Sequence, residues 1–254
     1  MLNHMRPRQT SWTYSDQVNG FAITALQPIK RSEQVFDSYG RKCNSRFFVN
    51  YGFSLEDNED NQCCLLFTLP EEDPHHEMKS RLLESSKFGP IKKRRFQIPY
   101  DYREDVTKEC FSVLRFIQAR GSELILLNSE SSGFDVKKIE PISLHNELRV
   151  LETLHEEASI LIKEFPTTIE EDNRLLQNKD LSFNMRNIIL MRRGEKEVLQ
   201  YYIDLYPYIL SLTQMQWKYF KRLVHRCYEM KSKTDPYVTA VLHPLMKSSE
   251  NNRT

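Results

Sequence analysis

The chain has 254 residues, with 36 Lys+Arg against 35 Asp+Glu, a formal charge of +1, 39% hydrophobic and 28% charged residues. That balance excludes a disordered chain and gives no global electrostatic pull toward nucleic acid or anionic lipid. No apolar stretch approaches the ~20 residues of a membrane span, and the first residues do not read as a secretory signal.

In chain order, residues 1 to about 55 carry short strand signals and polar turns. Phe21-Ala22-Ile23-Thr24-Ala25-Leu26 has the apolar density of a strand covered on both faces, ended by Pro28. After a Lys30-Arg31-Ser32 turn, Gln34 to Tyr39 reads as a second strand, closed by Gly40 where the chain must bend. Asn44-Ser45 is placed to cap a short helix through Phe47, Phe48 and Tyr51. The stretch Ser54 to Asn61, rich in Glu, Asp and Asn, is the expected domain boundary.

Beyond it, Cys63–Leu69 reads as a buried strand, a helix starts near His75 after Pro70 and Pro74, and Arg95 to Pro99 is extended. The period then becomes helical. Val106, Cys110, Val113, Leu114 and Ile117 share one face, and Leu144, Leu148, Leu151, Ala158, Leu161, Ile162 and Phe165 form a second core-facing stripe. Thr168 and Glu171 have capping-box spacing, in which hydroxyl and carboxylate each satisfy an orphan backbone N–H. A long helix is expected from Ser182, with Gly194 and Pro207 interrupting it, the proline by removing a hydrogen bond. Trp217 to Met230 reads as the last helix and residues 245–254 as a polar, frayed end.

Cys43, Cys63, Cys64, Cys110 and Cys227 form no spaced framework, and Cys63-Cys64 has no further ligand at metal spacing. No metal is expected, and the thiols read as those of a reducing compartment, cytosol or nucleus. Lys92-Lys93-Arg94-Arg95 reads as a solvated loop after Gly89-Pro90, with a nuclear-import signal as the alternative.

Asn3-His4, a strand into Tyr39-Gly40, then Asn44-Ser45 and Asn50-Tyr51-Gly52-Phe53, in that order, resemble the C-terminal half of a SET-domain methyltransferase. A second block comprises Thr167-Thr168-Ile169-Glu170-Glu171-Asp172, Leu181-Ser182 and Arg193-Gly194-Glu195-Lys196-Glu197-Val198-Leu199. It resembles the helical substrate-binding domain of the Rubisco large-subunit methyltransferase group, which includes the actin-histidine methyltransferases. The implied fold class is α+β: the C-terminal half of a β-rich SET domain over 1–55, a mostly α-helical substrate-binding domain over 56–235, and a polar tail over 236–254.

The resemblance implies methyl transfer from S-adenosyl-L-methionine to a nitrogen of a protein substrate, lysine in the first place and histidine in the second. Asn3 and His4 would hold the cofactor. Tyr39 would be the catalytic residue, its hydroxyl orienting the target nitrogen, and Tyr51 would line the substrate channel. Neither direct nucleic-acid binding nor a membrane is expected. Two departures from the family pattern stand out: Ser32-Glu33 where Gly-Glu is usual, and Met5 after the Asn-His pair where Ser or Thr is usual. The family's first SET strands, its glycine-containing cofactor loop and an inserted helical region would all precede Asn3. The chain is therefore expected to be part of a longer product, with an incomplete cofactor site. The alternative from a different class is a non-catalytic helical module that binds a protein through the residues after about 60.

Overall fold

The computed structural model describes residues 2–85, 93–129, 134–230 and 235–251. Strands β1 (Asn3–His4), β2 (Thr10–Ser15), β3 (Gly20–Ala25) and β4 (Phe36–Asp37) come first, followed by helix α1 (Asn44–Tyr51). Then follow β5 (Cys63–Phe67), α2 (His76–Ser85), β6 (Arg94–Ile98), α3 (Asp105–Gln118), α4 (Ser122–Ser129) and α5 (Leu144–Leu161), which a short 3-10 turn extends to Glu164. The chain continues through α6 (Ile169–Leu176), α7 (Phe183–Thr213), α8 (Trp217–Met230), α9 (Asp235–Tyr237), a π-helical turn Val238–Leu242, and α10 (His243–Asn251). The architecture is α+β and dominated by helix. Gly89, Pro90 and Lys92 of the basic run lie outside the described residues, whereas Arg94 and Arg95 belong to β6 rather than to a loop.

The strands form three two-stranded pairs: β1 with β4 in parallel, β2 with β3 antiparallel, and β5 with β6 antiparallel. Only part of the expected strand Gln34–Tyr39 is realised, because β1 offers it two partners, Asn3 opposite Phe36 and His4 opposite Asp37. The expectation that Phe21–Leu26 is covered on both faces is overturned. Trp12 faces Ile23 and Tyr14 faces Phe21 across the hairpin, so all four lie on one face, and Trp12 and Phe21 are 56% and 68% exposed. Apolar density reports what a strand can bury, not what lies against it.

Ser32, where the family pattern has glycine, has φ +71°, the left-handed region in which a Cβ costs about 1–2 kcal/mol. Ser32→Gly is therefore expected to raise stability by about 1 kcal/mol, read as an increased urea midpoint with unchanged slope; a fall would contradict it.

The acidic and Asn-rich stretch 54–61 is a welded seam rather than a solvated linker. Asn58 Nδ2 donates to Lys42 O at 2.9 Å and Asn44 Oδ1 at 3.0 Å, and Asn61 Oδ1 accepts the Asn44 amide at 3.0 Å. Ser54 N donates to Asn187 Oδ1 at 2.6 Å, tying the seam to α7. Asn44 thus does not cap α1. Cys43 occupies the cap position without a side-chain capping bond, and the Asn44 side-chain amide is committed to Leu55, accepting its N–H and donating to its carbonyl.

Gly194 faces this seam from α7, and a Cβ there would sit 2.1 Å from Asn61 Nδ2. Gly194 therefore does not interrupt the helix; it makes room for Asn61. Gly194→Ala is expected to cost about 1–3 kcal/mol through this overlap, measured by denaturant unfolding, and an unchanged midpoint would refute the contact. Pro207 also lies inside an unbroken helix. Its missing N–H would have served the Ile203 carbonyl one turn back, and the His155 ring of α5 donates to that oxygen instead, at 2.7 Å.

The capping box is realised: the Thr168 hydroxyl accepts the Glu171 N–H and the Glu171 carboxylate accepts the Thr168 N–H. One apolar core runs from Cys63 to Leu242, with Leu65, Phe111, Leu114, Val150, Leu154, Val198 and Tyr202 at its centre. At its heart lies a buried ion pair. Arg115 donates twice to Glu147, at 2.8 Å each, and also to Ile139 O and the Tyr102 hydroxyl, while the Tyr237 hydroxyl donates to Glu147 at 3.0 Å. This bond helps draw the C-terminal segment inward, where Tyr237, Val238, Val241 and Leu242 are buried. The expected polar tail from 236 and frayed end from 245 are therefore corrected: through Asn251 the segment is helical.

Candidate active site

The parallel bridge between β1 and β4 determines the site. Met5 N donates to Asp37 O at 2.9 Å, extending the pairing and holding Tyr39 beside His4. The Tyr39 amide donates to His4 Nδ1 at 3.0 Å, and the Tyr39 hydroxyl donates to Leu2 O at 2.7 Å. Tyr39 is therefore held at both its backbone and its phenol by β1 and the residue before it. Gly40 and Gly52, each following one of the two tyrosines, have φ of +83° and +79°, which lets the chain turn sharply after both rings.

The rings collect into one aromatic cluster. The His4 ring lies 5.3 Å from Tyr39, 4.9 Å from Phe47 and 5.9 Å from Phe53. The Tyr39 and Tyr51 centroids are 4.5 Å apart. Phe47 is fully buried at the base, whereas Tyr51 is 43% exposed at the mouth.

Two cations bracket the cluster. The Arg6 guanidinium lies 5.8 Å from the Phe47 ring centre, pairs with Asp60 and donates to Gly40 O at 2.8 Å. Lys42 Nζ lies 5.9 Å from the Tyr51 ring centre and donates to Tyr39 O. Arg41 completes the rim, paired with Asp60 at 2.6 Å and Glu104 at 2.7 Å.

Burial first, then the charges of Arg6 and Lys42, hold the His4 imidazole below its ordinary value, and Asp37 opposes them only in part. A backbone N–H can only donate, so His4 Nδ1 is the unprotonated acceptor and the neutral ring carries its proton on Nε2. That Nε2 is buried without a partner among the described residues, as is Asp37 Oδ1.

The structure thus brings His4, Tyr39 and Tyr51 together. Asn3 is adjacent on β1 but exposed, outside the aromatic cluster. Phe47, Arg6 and Lys42 were not singled out by the sequence reading. Phe47 stands one helical turn before Tyr51, which could have indicated it, but nothing in the sequence pairs Arg6 or Lys42 with a ring.

Residues 70–199 match the family model described as Rubisco LSMT substrate-binding. The chain belongs to the Rubisco LSMT substrate-binding family. The matched span runs from just after β5 to the middle of α7, and so contains the Arg115–Glu147 pair and the α6 capping box. Beyond the family model, the chain is 28% identical over 206 residues to the actin-histidine N-methyltransferases of Callithrix jacchus and Homo sapiens, covering 74% of this chain and 34% of each relative. It spans about a third of the length of these curated relatives. Among solved structures, Rubisco LSMT bound to AdoMet matches with a TM-score of 0.62 at 25% identity, over 87% of this chain and 52% of that one. Rubisco LSMT bound to sinefungin and monomethyllysine shares the fold at the same TM-score and coverage, with 24% identity.

Proposed function

We propose that this protein is an S-adenosylmethionine-dependent protein N-methyltransferase acting on a lysine or histidine nitrogen. In this reading the chain contributes one wall of the transfer site, together with the helical unit that holds the protein substrate. The observation that carries the reading is the clamped Tyr39 within a ring of His4, Phe47, Tyr51 and Phe53. It is supported by relatives that are themselves protein methyltransferases.

The residues fit such a cofactor. Asp37 Oδ1 offers a buried acceptor, not spent on the described protein, beside the exposed Asn3. When bound, S-adenosylmethionine supplies a methyl on a sulfonium, whose sulfur keeps the bonding pair as the protein nitrogen takes the methyl. The Tyr39 hydroxyl donates its O–H to Leu2 O, so its lone pairs are left as acceptors. For a lysine target, an N–H of the neutral amine donating to Tyr39 Oη would turn that nitrogen's lone pair toward the methyl. For histidine, the N–H of the other ring nitrogen would be the donor and the unprotonated nitrogen the nucleophile, and catalysis is then mainly positioning. With both substrates bound, the faces of Tyr51 and Phe53 would line the channel, and the methylated side chain would return its surplus proton to solvent.

A second reading, a non-catalytic helical module that binds a protein, has one specific support: the main apolar core contains no residue before Cys63, so the helical unit has a core of its own. Calorimetric titration of S-adenosylmethionine into the full-length protein separates the two. Saturable heat of one equivalent is the expected result; a folded protein that gives none would leave the module reading standing.

A further inference from the structure

Of the two ring nitrogens of His4, Nδ1 is committed by the local geometry and Nε2 is not. Nδ1 accepts the Tyr39 amide at 3.0 Å, and the ring packs on Tyr39 at 5.3 Å and on Phe47 at 4.9 Å. The second fixed point on Tyr39 is its hydroxyl, held by Leu2 O at 2.7 Å. Two anchors, 37 and 35 positions away in sequence, thus define where the phenol oxygen stands. The His4 anchor differs from Leu2 O in one respect. A carbonyl accepts at any pH, but an imidazole nitrogen accepts only while unprotonated.

We propose that the His4 imidazole is a positioning residue for Tyr39, a latch whose Nδ1 holds the Tyr39 amide and releases it on protonation. The inference rests on the reading of Tyr39 as the catalytic residue above, and assigns the His4 side chain a part other than holding the cofactor. Protonation would set an N–H against the Tyr39 N–H, removing the bond and leaving two donors opposed. The charged groups facing the ring are Arg6, beside Phe47; Lys42, at Tyr39 O and Tyr51; and Asp37, opposite His4 on β4. Asp60 is engaged with Arg6 and Arg41. With burial and both cations outweighing Asp37, the ring stays neutral and the latch closed at neutral pH. It opens in acid, below the ordinary histidine value of about 6.5.

The test uses the full-length protein with methyl-labelled S-adenosylmethionine and a hypomethylated protein extract as the probe. His4→Phe keeps a ring in the cluster but has no acceptor; His4→Asn restores an oxygen near the Nδ1 position and does not titrate. The expected result is a turnover at least about 100-fold lower in His4→Phe, the scale of a small misplacement of a reacting group. Its calorimetric affinity for S-adenosylhomocysteine should stay within about threefold, since the lost contact is to Tyr39. His4→Asn should regain activity to within about tenfold of wild type and lose the part of the acid limb of the pH–rate profile that titrates with His4, keeping the part set by protonation of the target nitrogen. A matching loss of cofactor affinity in His4→Phe, no recovery in His4→Asn, or an unmoved acid limb would each overturn the latch. Transfer can fail for a separate reason: a wild-type protein that labels nothing would refute the methyltransferase reading. The latch itself is then decided by NMR. It requires the Tyr39 amide resonance to titrate with the His4 ring and to exchange freely only below the His4 midpoint; an amide blind to His4 would overturn it.

Discussion

Replacing Tyr39 by phenylalanine in the full-length protein is expected to lower methyl-transfer turnover by about 100- to 1,000-fold, the scale set by losing one polar contact to the reacting centre. Cofactor affinity should stay within about threefold, because only the phenol oxygen is removed. In this structure that oxygen donates to Leu2 O and retains lone pairs for an incoming N–H. The ring packing on His4 and Tyr51 is preserved in phenylalanine, so the variant should melt within a degree or two of wild type. Steady-state kinetics with labelled S-adenosylmethionine, alongside calorimetry, separate the two quantities. Turnover equal to wild type would remove Tyr39 from the chemistry, and a loss confined to cofactor binding would move it to another role.

The second large effect is on stability. Glu147→Ala leaves the Arg115 guanidinium buried at 3% side-chain exposure with no carboxylate, and strands the Tyr237 hydroxyl. Breaking a buried pair on one side costs about 3–5 kcal/mol. For a chain of this size that corresponds to a fall in melting temperature of roughly 10 °C. Burial alone would work against the Arg115 charge, but Glu147 and Tyr102 outweigh it and hold the guanidinium well above its ordinary value. The double replacement Arg115→Met with Glu147→Leu should lose far less than Glu147→Ala, since no charge is then left unpaired. Thermal unfolding of the three variants checks this. Equal losses in all of them would mean that lost packing, rather than the stranded charge, sets the cost.

How far the sequence foretold these features follows from the range over which each is determined. The α6 capping box was legible because its two partners lie three residues apart and need nothing else. The Ser182 start of α7 was legible for the same reason, its hydroxyl accepting the Met185 N–H within the first turn. The continuity of α7 was not. The group that relieves Pro207 is His155 on another helix, and the reason for Gly194 is Asn61 in a distant loop. Likewise Asn44 has the composition of a cap, but its amide is claimed by Leu55 and Asn58, contacts that exist only once the seam has folded.

The site shows the same division. The motif order Asn3-His4, Tyr39-Gly40 and Tyr51-Gly52 placed three of the four expected residues side by side in space. Its electrostatics were hidden, because the cations Arg6 and Lys42 reach the rings through turns whose geometry no spacing rule encodes. The composition of β3 indicated a strand correctly, but β2 was not singled out, and nothing indicated that Trp12, Tyr14, Phe21 and Ile23 would stand together on an exposed face.

The central claim, that this protein transfers methyl groups to protein nitrogen through the Tyr39 site, is most directly tested by amino-acid analysis after labelling. The full-length protein is incubated with methyl-labelled S-adenosylmethionine and a hypomethylated protein extract, and the protein fraction is hydrolysed and resolved. The expected result is label in methyllysine or methylhistidine, present with wild type and lost with Tyr39→Phe. A folded wild-type protein that leaves both amino acids unlabelled, or a Tyr39→Phe variant that labels them equally well, would contradict it.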